Sequence, residues 1–235
     1  MSDGLYDEHP AFYDVLQSEW PYDRDLGLVA TILDRNGGDA DRLLELGCGT
    51  GEHACRFADL GLNVVSVDPH EGMLDVARTK CDLDFRRDAL PALSVEGPFD
   101  AAVAIRGVVN HLAPDELVPS LSAVADRLAP GGVFVFDNAP LPPDGNDPAL
   151  AIGSTEAGDY ARIAHHVPTD DGRLDWRALT FTPDGEFFVD RRPMTPFSDD
   201  AIAEALFDVG FEITYHDGYG PGDDRTVFEA VLPGT

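Results

Sequence analysis

Short apolar runs alternate with helix-period stretches from residue 41 to residue 138, a pattern that predicts a doubly wound, mostly parallel sheet. The runs 43–46, 64–67, 83–86, 101–105 and 133–136 are short and apolar throughout, as strands buried on both faces must be. Helices are expected over 53–59, 73–79 and 115–128. The last is expected to stop at APGG, where Pro130 cannot extend it and Gly131 suits a left-handed cap. Residues 10–36 read as helical and carry Tyr13, Trp20 and Tyr22 where they can cover the mouth of the sheet.

Beyond residue 138 the pattern changes. The stretch NAPLPPDGNDPALAIGS reads as a loop, because its prolines and glycines oppose regular structure. A period of two follows over 160–166, 174–181 and 186–192, joined at TDDGR and TPDGE, which are hairpin signals. A helix over 199–209 and strands at 211–215 and 226–232 close the chain. The expected organisation is a helical cap over 1–40, an α/β domain over 41–152 and 197–235, and an antiparallel insertion over 153–196. The expected fold class is therefore α/β, with a seven-stranded Rossmann-like sheet and a β insertion after the fifth strand. That insertion is expected to serve as a lid over the substrate or as a contact between two copies, leaving monomer and homodimer both open.

In its 235 residues the chain carries 16 basic and 44 acidic side chains, a formal charge of −28, and Lys80 is its one lysine. Self-repulsion on this scale destabilises a compact chain unless concentrated cations screen it, so a halophilic archaeon is the expected source. The arginines form no basic patch, which excludes a nucleic-acid substrate. Cys48, Cys55 and Cys81 lack metal spacing and are odd in number, so they are expected to be reduced thiols, with no bound metal. No apolar run is long enough to span a membrane, and MSDGLYDEHP lacks the features of a signal peptide, so a cytoplasmic protein is expected.

The chemistry concentrates in LLELGCGTGEHACRF, residues 43–57. Gly47, Gly49 and Gly51 allow a sharp turn with no side chain between backbone and ligand. A dinucleotide fingerprint wants its third glycine at position 52, where Glu52 stands, and Glu45 adds a second carboxylate at the strand end. Both disfavour a pyrophosphate, and with it a nicotinamide-dependent oxidoreductase; a cationic nucleoside fits better. Asp68 follows about twenty residues after the turn, where a carboxylate can accept from ribose hydroxyls. Asp88 is placed to accept from an adenine amino group, with Met73 packed against the ring.

With ELGCGTG, VVSVDPHEGMLDVAR, FRRDAL, FDAAVAI and LAPGGVFVF in order, the chain resembles the class I S-adenosylmethionine-dependent methyltransferases. In layout it is most similar to sugar N,N-dimethyltransferases and related small-molecule enzymes. The resemblance implies S-adenosyl-L-methionine as cofactor, S-adenosyl-L-homocysteine as product, and methyl transfer to nitrogen or oxygen of a small molecule. It implies cofactor contacts from Tyr13, Tyr22, Glu45, Gly47, Cys48, Gly49, Gly51, Asp68, Pro69, Met73, Asp88, Ala89 and Ile105. His111 and Tyr13 are the expected catalytic residues, and Arg106 with His111 the expected substrate contacts. A protein that binds the cofactor without turnover carries the same motifs, so that alternative stands at this point.

The charge alone makes one prediction. Thermal stability should rise steadily as NaCl is raised from low ionic strength to about 1 M, where the Debye length is about 3 Å. A melting temperature that does not change with salt would contradict it.

Overall fold

The computed structural model describes residues 4–37 and 40–234; residues 1–3, 38, 39 and 235, within the expected N-terminal and C-terminal units, lie outside the description. Two helices come first, α1 (Pro10–Leu16) and α2 (Tyr22–Arg35), after one helical turn at Gly4–Glu8. The α/β unit then runs β1 (Arg42–Leu46), α3 (Glu52–Asp59), β2 (Asn63–Asp68), α4 (Glu71–Lys80), β3 (Asp84–Arg87), β4 (Phe99–Ala104), α5 (Leu117–Ala125) and β5 (Leu128–Asn138). Four strands follow, β6 (Ala149–Thr155), β7 (Gly158–Pro168), β8 (Leu174–Phe181) and β9 (Phe187–Met194). The chain ends with α6 (Asp199–Val209), β10 (Glu212–Asp217) and β11 (Thr226–Val231).

The main sheet has the order β10-β11-β5-β4-β1-β2-β3, with β11 antiparallel to both its neighbours, β10 and β5, and every other pair parallel. Strand order reverses between β1 and β4, where an open α/β sheet leaves a crevice at its carboxyl edge. Alternation along each strand loads both faces. Leu44, Leu46, Ala102, Ala104, Phe134 and Phe136 pack toward α5 and α6, while Leu43, Ala101, Val103, Val133 and Val135 pack toward α2 and α3. On α2, Leu26, Val29, Ile32 and Leu33 recur at helical spacing and seat it on the second face.

Three sequence expectations are corrected. The fifth helix stops at Ala125, and the APGG motif lies within β5 as a bulge: Phe99 pairs Leu128 but Ala101 pairs Val133, with Gly131 at φ +83 between them. The presumed loop after residue 138 contains a strand, β6, because its last residues, Ala-Leu-Ala-Ile-Gly-Ser-Thr, carry no proline and pair fully with β7. Cys55 and Cys81 are joined as a disulfide across 26 residues, tying α3 to the end of α4; only Cys48 is free, and it is buried. That pairing arises from helix packing, which cysteine spacing does not report. No helix among the described residues is long and apolar enough to cross a membrane.

The hairpin turns are as expected and repeat one device. Thr169 N–H donates to Arg173 C=O and Thr182 N–H to Glu186 C=O, while each threonine hydroxyl donates to the aspartate two residues on, Asp171 or Asp184. Gly172 and Gly185 supply the positive φ that each turn needs. The resulting four-stranded sheet, β6-β7-β8-β9, stands over the carboxyl edge of the main sheet, beside α1.

Candidate active site

β1 runs into the glycine turn, where Gly47, Gly49 and Gly51 all have positive φ, between +54° and +80°. Each glycine answers a different constraint. A Cβ on Gly47 would lie 2.7 Å from Val108, and one on Gly51 2.9 Å from Ala77 of α4, so both are packing necessities. Gly49 instead faces a cavity, and its missing Cβ leaves 3.4 Å to Met73 and 4.0 Å to Tyr13.

Asp68 closes the turn from β2. One carboxylate oxygen accepts from Gly49 N–H and the other from His70 N–H, each at 2.9 Å. Burial raises its pKa, against the opposing pull of those two N–H groups. Glu45 is fully buried and bonded by Ser66 Oγ at 2.9 Å; burial pushes it up to about 8, and nearby Asp68 adds to the shift.

Three connected cavities lie here. The first, of about 180 Å³, is walled by Gly47, Gly49, Asp68, Pro69, Met73 and Ile105 on the sheet side and by Tyr6, Tyr13, Arg106 and His111 opposite. A small recess of about 30 Å³ continues it toward Tyr22, Glu45, Cys48 and His53. Burial raises the Cys48 thiol well above its usual pKa and lifts Tyr22 to about 12, so both are neutral there. The third, of about 480 Å³, opens beyond Tyr6, Tyr13, Arg106 and His111 under the β6–β9 sheet.

Arg106 stands at the junction of all three cavities. It is the one described non-glycine residue with positive φ, +75°, and Asp137 explains how that is held. The buried Asp137 carboxylate accepts from the N–H groups of Arg106 and Gly107 and from Tyr219 Oη, pinning the turn after β4. The Arg106 guanidinium stacks 4.2 Å from Trp20 and bonds Gln17 at 2.5 Å, so the segment after α1 leans on it.

Most expected site residues thus converge. Tyr13, Gly47, Gly49, Asp68, Pro69, Met73, Ile105, Arg106 and His111 share the first cavity, and Tyr22, Glu45 and Cys48 the recess. Asp88 and Ala89 do not reach either wall. The Asp88 carboxylate accepts from the backbone of Ala89, Ser94 and Val95 and from Ser94 Oγ, which shapes the loop after β3. Sequence reasoning missed the large chamber's arginines, Arg162, Arg192 and Arg225, together with Trp176 and Tyr160. Tyr160 and Arg162 stand two apart on β7 and so share a face of the sheet, but nothing local indicates which face looks inward, and Arg225 lies outside the strands.

The cavity chemistry fits a cationic nucleoside. Each Asp68 oxygen has a second lone pair beyond its N–H partner, enough to accept from vicinal hydroxyls. Glu45, neutral in the recess because burial raises its pKa to about 8, would ionise beside a bound cation, and the Gly49 backbone is bare to the cavity.

Comparison with known proteins agrees with this geometry. Residues 43–132 match the family described as a methyltransferase domain. A putative methyltransferase of Bacillus subtilis, YqeM, is 31% identical over 139 residues, 57% of this chain and 55% of that protein. The chain thus spans about half the length of that relative. The dTDP-3-amino-3,6-dideoxy-alpha-D-glucopyranose N,N-dimethyltransferase of Streptomyces fradiae is 26% identical over 91% of this chain and 85% of its own. The solved structure of CalS10 with SAM bound, an amino pentose methyltransferase from Micromonospora echinaspora, has a TM-score of 0.78 at 24% identity, covering 99% of both chains. At that identity the likeness is one of fold. Residues 43–132 are thus a methyltransferase domain by sequence, and the fold of the whole chain is that of the solved methyltransferases. These relatives are bacterial, and they lend no support to the archaeal source expected from the charge.

Glu45 generates a pH prediction. Its folded pKa is raised, so the stability it contributes is complete below the ordinary carboxylate value of 4.5 and is lost as pH rises through about 8. Glu45→Gln keeps a partner for Ser66 but removes the titration. Denaturant midpoints measured across that window should fall less in the variant than in the wild type; equal falls would show that Glu45 does not titrate there.

Proposed function

We propose that the protein transfers a methyl group from S-adenosylmethionine to nitrogen or oxygen of a small anionic acceptor held in the 480 Å³ chamber. The observation that carries this reading is the junction: an acidic cavity and a basic one meet at Tyr13, Arg106 and His111. The bound cofactor would supply an electrophilic methyl on a sulfonium, with Asp68 at its ribose and Glu45 near its charged amino-acid end. The chain's own part is positioning, which can provide most of the rate of such a transfer. Tyr6, Tyr13 and His111 line both cavities; the two tyrosines would exclude water at the junction, and His111 would take the acceptor's proton.

The acceptor's charge is argued from the chamber. Arg106, Arg162, Arg192 and Arg225 line it, and among the described residues no carboxylate side chain does. Asp190 stands behind Arg162 and Arg192, and Asp137 and Asp223 behind Arg225, so the guanidinium groups are held in place from outside the chamber. Guanidinium groups fixed against rings, Arg192 over Tyr6 at 3.8 Å and Arg162 by Trp176, favour a planar or phosphoryl oxyanion. The amino-sugar relatives favour nitrogen as the methylated atom.

The β6–β9 sheet also supports a homodimer. Its outer face carries two apolar rows, Leu150-Ile163-Leu179-Val189 and Ile152-Ala161-Phe181-Phe187, with Ile152 73% and Phe187 64% exposed. Four strands at about 4.8 Å and eight residues at about 3.4 Å give a face of roughly 19 by 27 Å, so two copies bury on the order of 1000 Å². The acids on that face, Asp159 and Asp175, are balanced by Arg177 and Arg191, so a second copy approaches there without the repulsion it meets elsewhere. The −28 charge further suits a salt-rich cytoplasm.

Calorimetry with S-adenosylhomocysteine tests the cofactor reading. Binding is expected for the wild type, with at least a hundredfold loss, about 2.7 kcal/mol, in Gly49→Val. Absence of wild-type binding would sink it. Light scattering tests the interface: the wild type should be a dimer and Ile152→Glu with Val189→Glu a folded monomer. A monomeric wild type would refute that arrangement.

A further inference from the structure

The helix that roofs the cofactor cavity is only half-buried, with Phe12 resting on Tyr160 and Phe188. α1 is seven residues long and none of them is buried, although its Tyr13 forms the cavity's outer wall. One residue on, Asp14 points back to the core. Its Oδ1 accepts from Thr50 Oγ1 at 2.5 Å, and its Oδ2 lies 2.6 Å from Lys80 Nζ. Lys80 also reaches Glu52 Oε1 at 2.8 Å.

These partners come from distinct parts of the chain. Thr50 stands between Gly49 and Gly51 in the glycine turn, Glu52 opens α3, and Lys80 ends α4. The core side of this cluster is anchored several times over. Cys81, next to Lys80, is bonded to Cys55 of α3, and Arg56 pairs with Glu52 one helical turn away. Burial alone would raise the Glu52 carboxyl, yet Lys80 and Arg56 hold it below its ordinary pKa. The α1 side has only Asp14. A lysine suits this position because its ammonium is a point charge on a flexible stem with three donors, able to bridge carboxylates from two elements.

We propose that Lys80 is a positioning residue that latches α1 over the cofactor cavity, clamping Asp14 against Thr50 and Glu52 and thereby setting how long the cofactor stays bound. The residence-time part rests on the methyltransferase reading; the latch itself does not. The same Asp14 carboxylate touches the glycine turn and the lysine, so opening the roof disconnects both contacts together. In a chain that carries arginine everywhere else, its single lysine sits at this bridge.

Two measurements on the full-length protein test the latch. The first is stopped-flow dissociation of S-adenosylhomocysteine, followed by tryptophan fluorescence, in wild type, Lys80→Met, Asp14→Asn and the double variant. Lys80→Met should raise the dissociation rate about tenfold and change the association rate less than about twofold. Asp14→Asn should match it, the double variant should add nothing further, and Lys80→Arg should recover part of the loss.

The second is amide hydrogen exchange on cofactor-free protein. Residues 11–17 should exchange about tenfold faster in Lys80→Met, with β1 and β2 unchanged. Dissociation and exchange within about twofold of wild type would overturn the latch. So would additive effects in the double variant, or faster exchange spread through β1 and β2, which would mean general loosening. If the wild type binds no S-adenosylhomocysteine, the methyltransferase reading falls, and the exchange data still decide whether Lys80 holds α1.

Discussion

The Asp68 carboxylate, held by Gly49 N–H and His70 N–H, is the contact on which the site depends. It joins the end of β2 to the turn after β1, on one side of the point where strand order reverses. The turn is open backbone with three residues at positive φ, and without a partner on β2 its N–H groups would face an apolar sheet edge unpaired. Once pinned, the turn sets where α3 begins, and Gly51 lets α3 touch α4 at Ala77. The disulfide between Cys55 and Cys81 and the Lys80 bridge both rely on that close approach. Asp137 plays the corresponding part on the other side of the reversal, holding the strained Arg106 turn after β4. Two buried aspartates, one at each strand end, thus fix the two walls of one crevice.

Local chemistry made this crevice legible in the sequence. Gly47, Gly49, Gly51 and Asp68 are constrained by backbone geometry within some twenty residues, and short apolar strands around them leave few topologies open. What escaped was set by distant packing. The β6 strand hides behind proline and glycine, because pairing with β7 decides it and propensity does not. The Cys55–Cys81 bond needs α3 and α4 side by side. Asp88 has the right place in the motif order, but its carboxylate is occupied by Ser94 and Val95 amides from its own loop. The chamber arginines come from four separate strands or turns, and only the assembled sheet brings Arg106, Arg162, Arg192 and Arg225 together.

Charge is sorted in this molecule as well as abundant. Most of the carboxylates are solvated, while a large share of the few cations is drawn inward and laid on rings. Trp20 alone has Arg24, Arg106 and Arg225 within 5.5 Å of its centroid. Arginine tolerates this because its delocalised charge is weakly hydrated and stacks on aromatic faces. Buried Asp25 completes the arrangement, accepting from Trp20 Nε1, Arg24 and His53. Burial alone would raise its pKa, but those three donors outweigh that and keep it low. A surface of excess carboxylate therefore encloses a chamber lined by four arginines, which is where the proposed anionic acceptor would be held.

The β6–β9 sheet carries this sorting furthest, because its register assigns each residue to one of two environments. Arg162, Trp176, Phe188 and Arg192 lie on one face, toward α1 and the chamber, and Ile163, Leu179, Phe187 and Val189 on the other. A slip of one residue between β7 and β8 would exchange the two sets. With β7 turned over, Arg162 would leave the chamber and Ile163 would enter it. The Thr-x-Asp-Gly-x turns at 169–173 and 182–186 oppose that slip, since each fixes loop length through a threonine hydroxyl and a glycine at positive φ. The same two turns therefore hold the arginines toward the chamber and the apolar rows on the outer face, so the proposed acceptor and the proposed dimer contact share one structural cause.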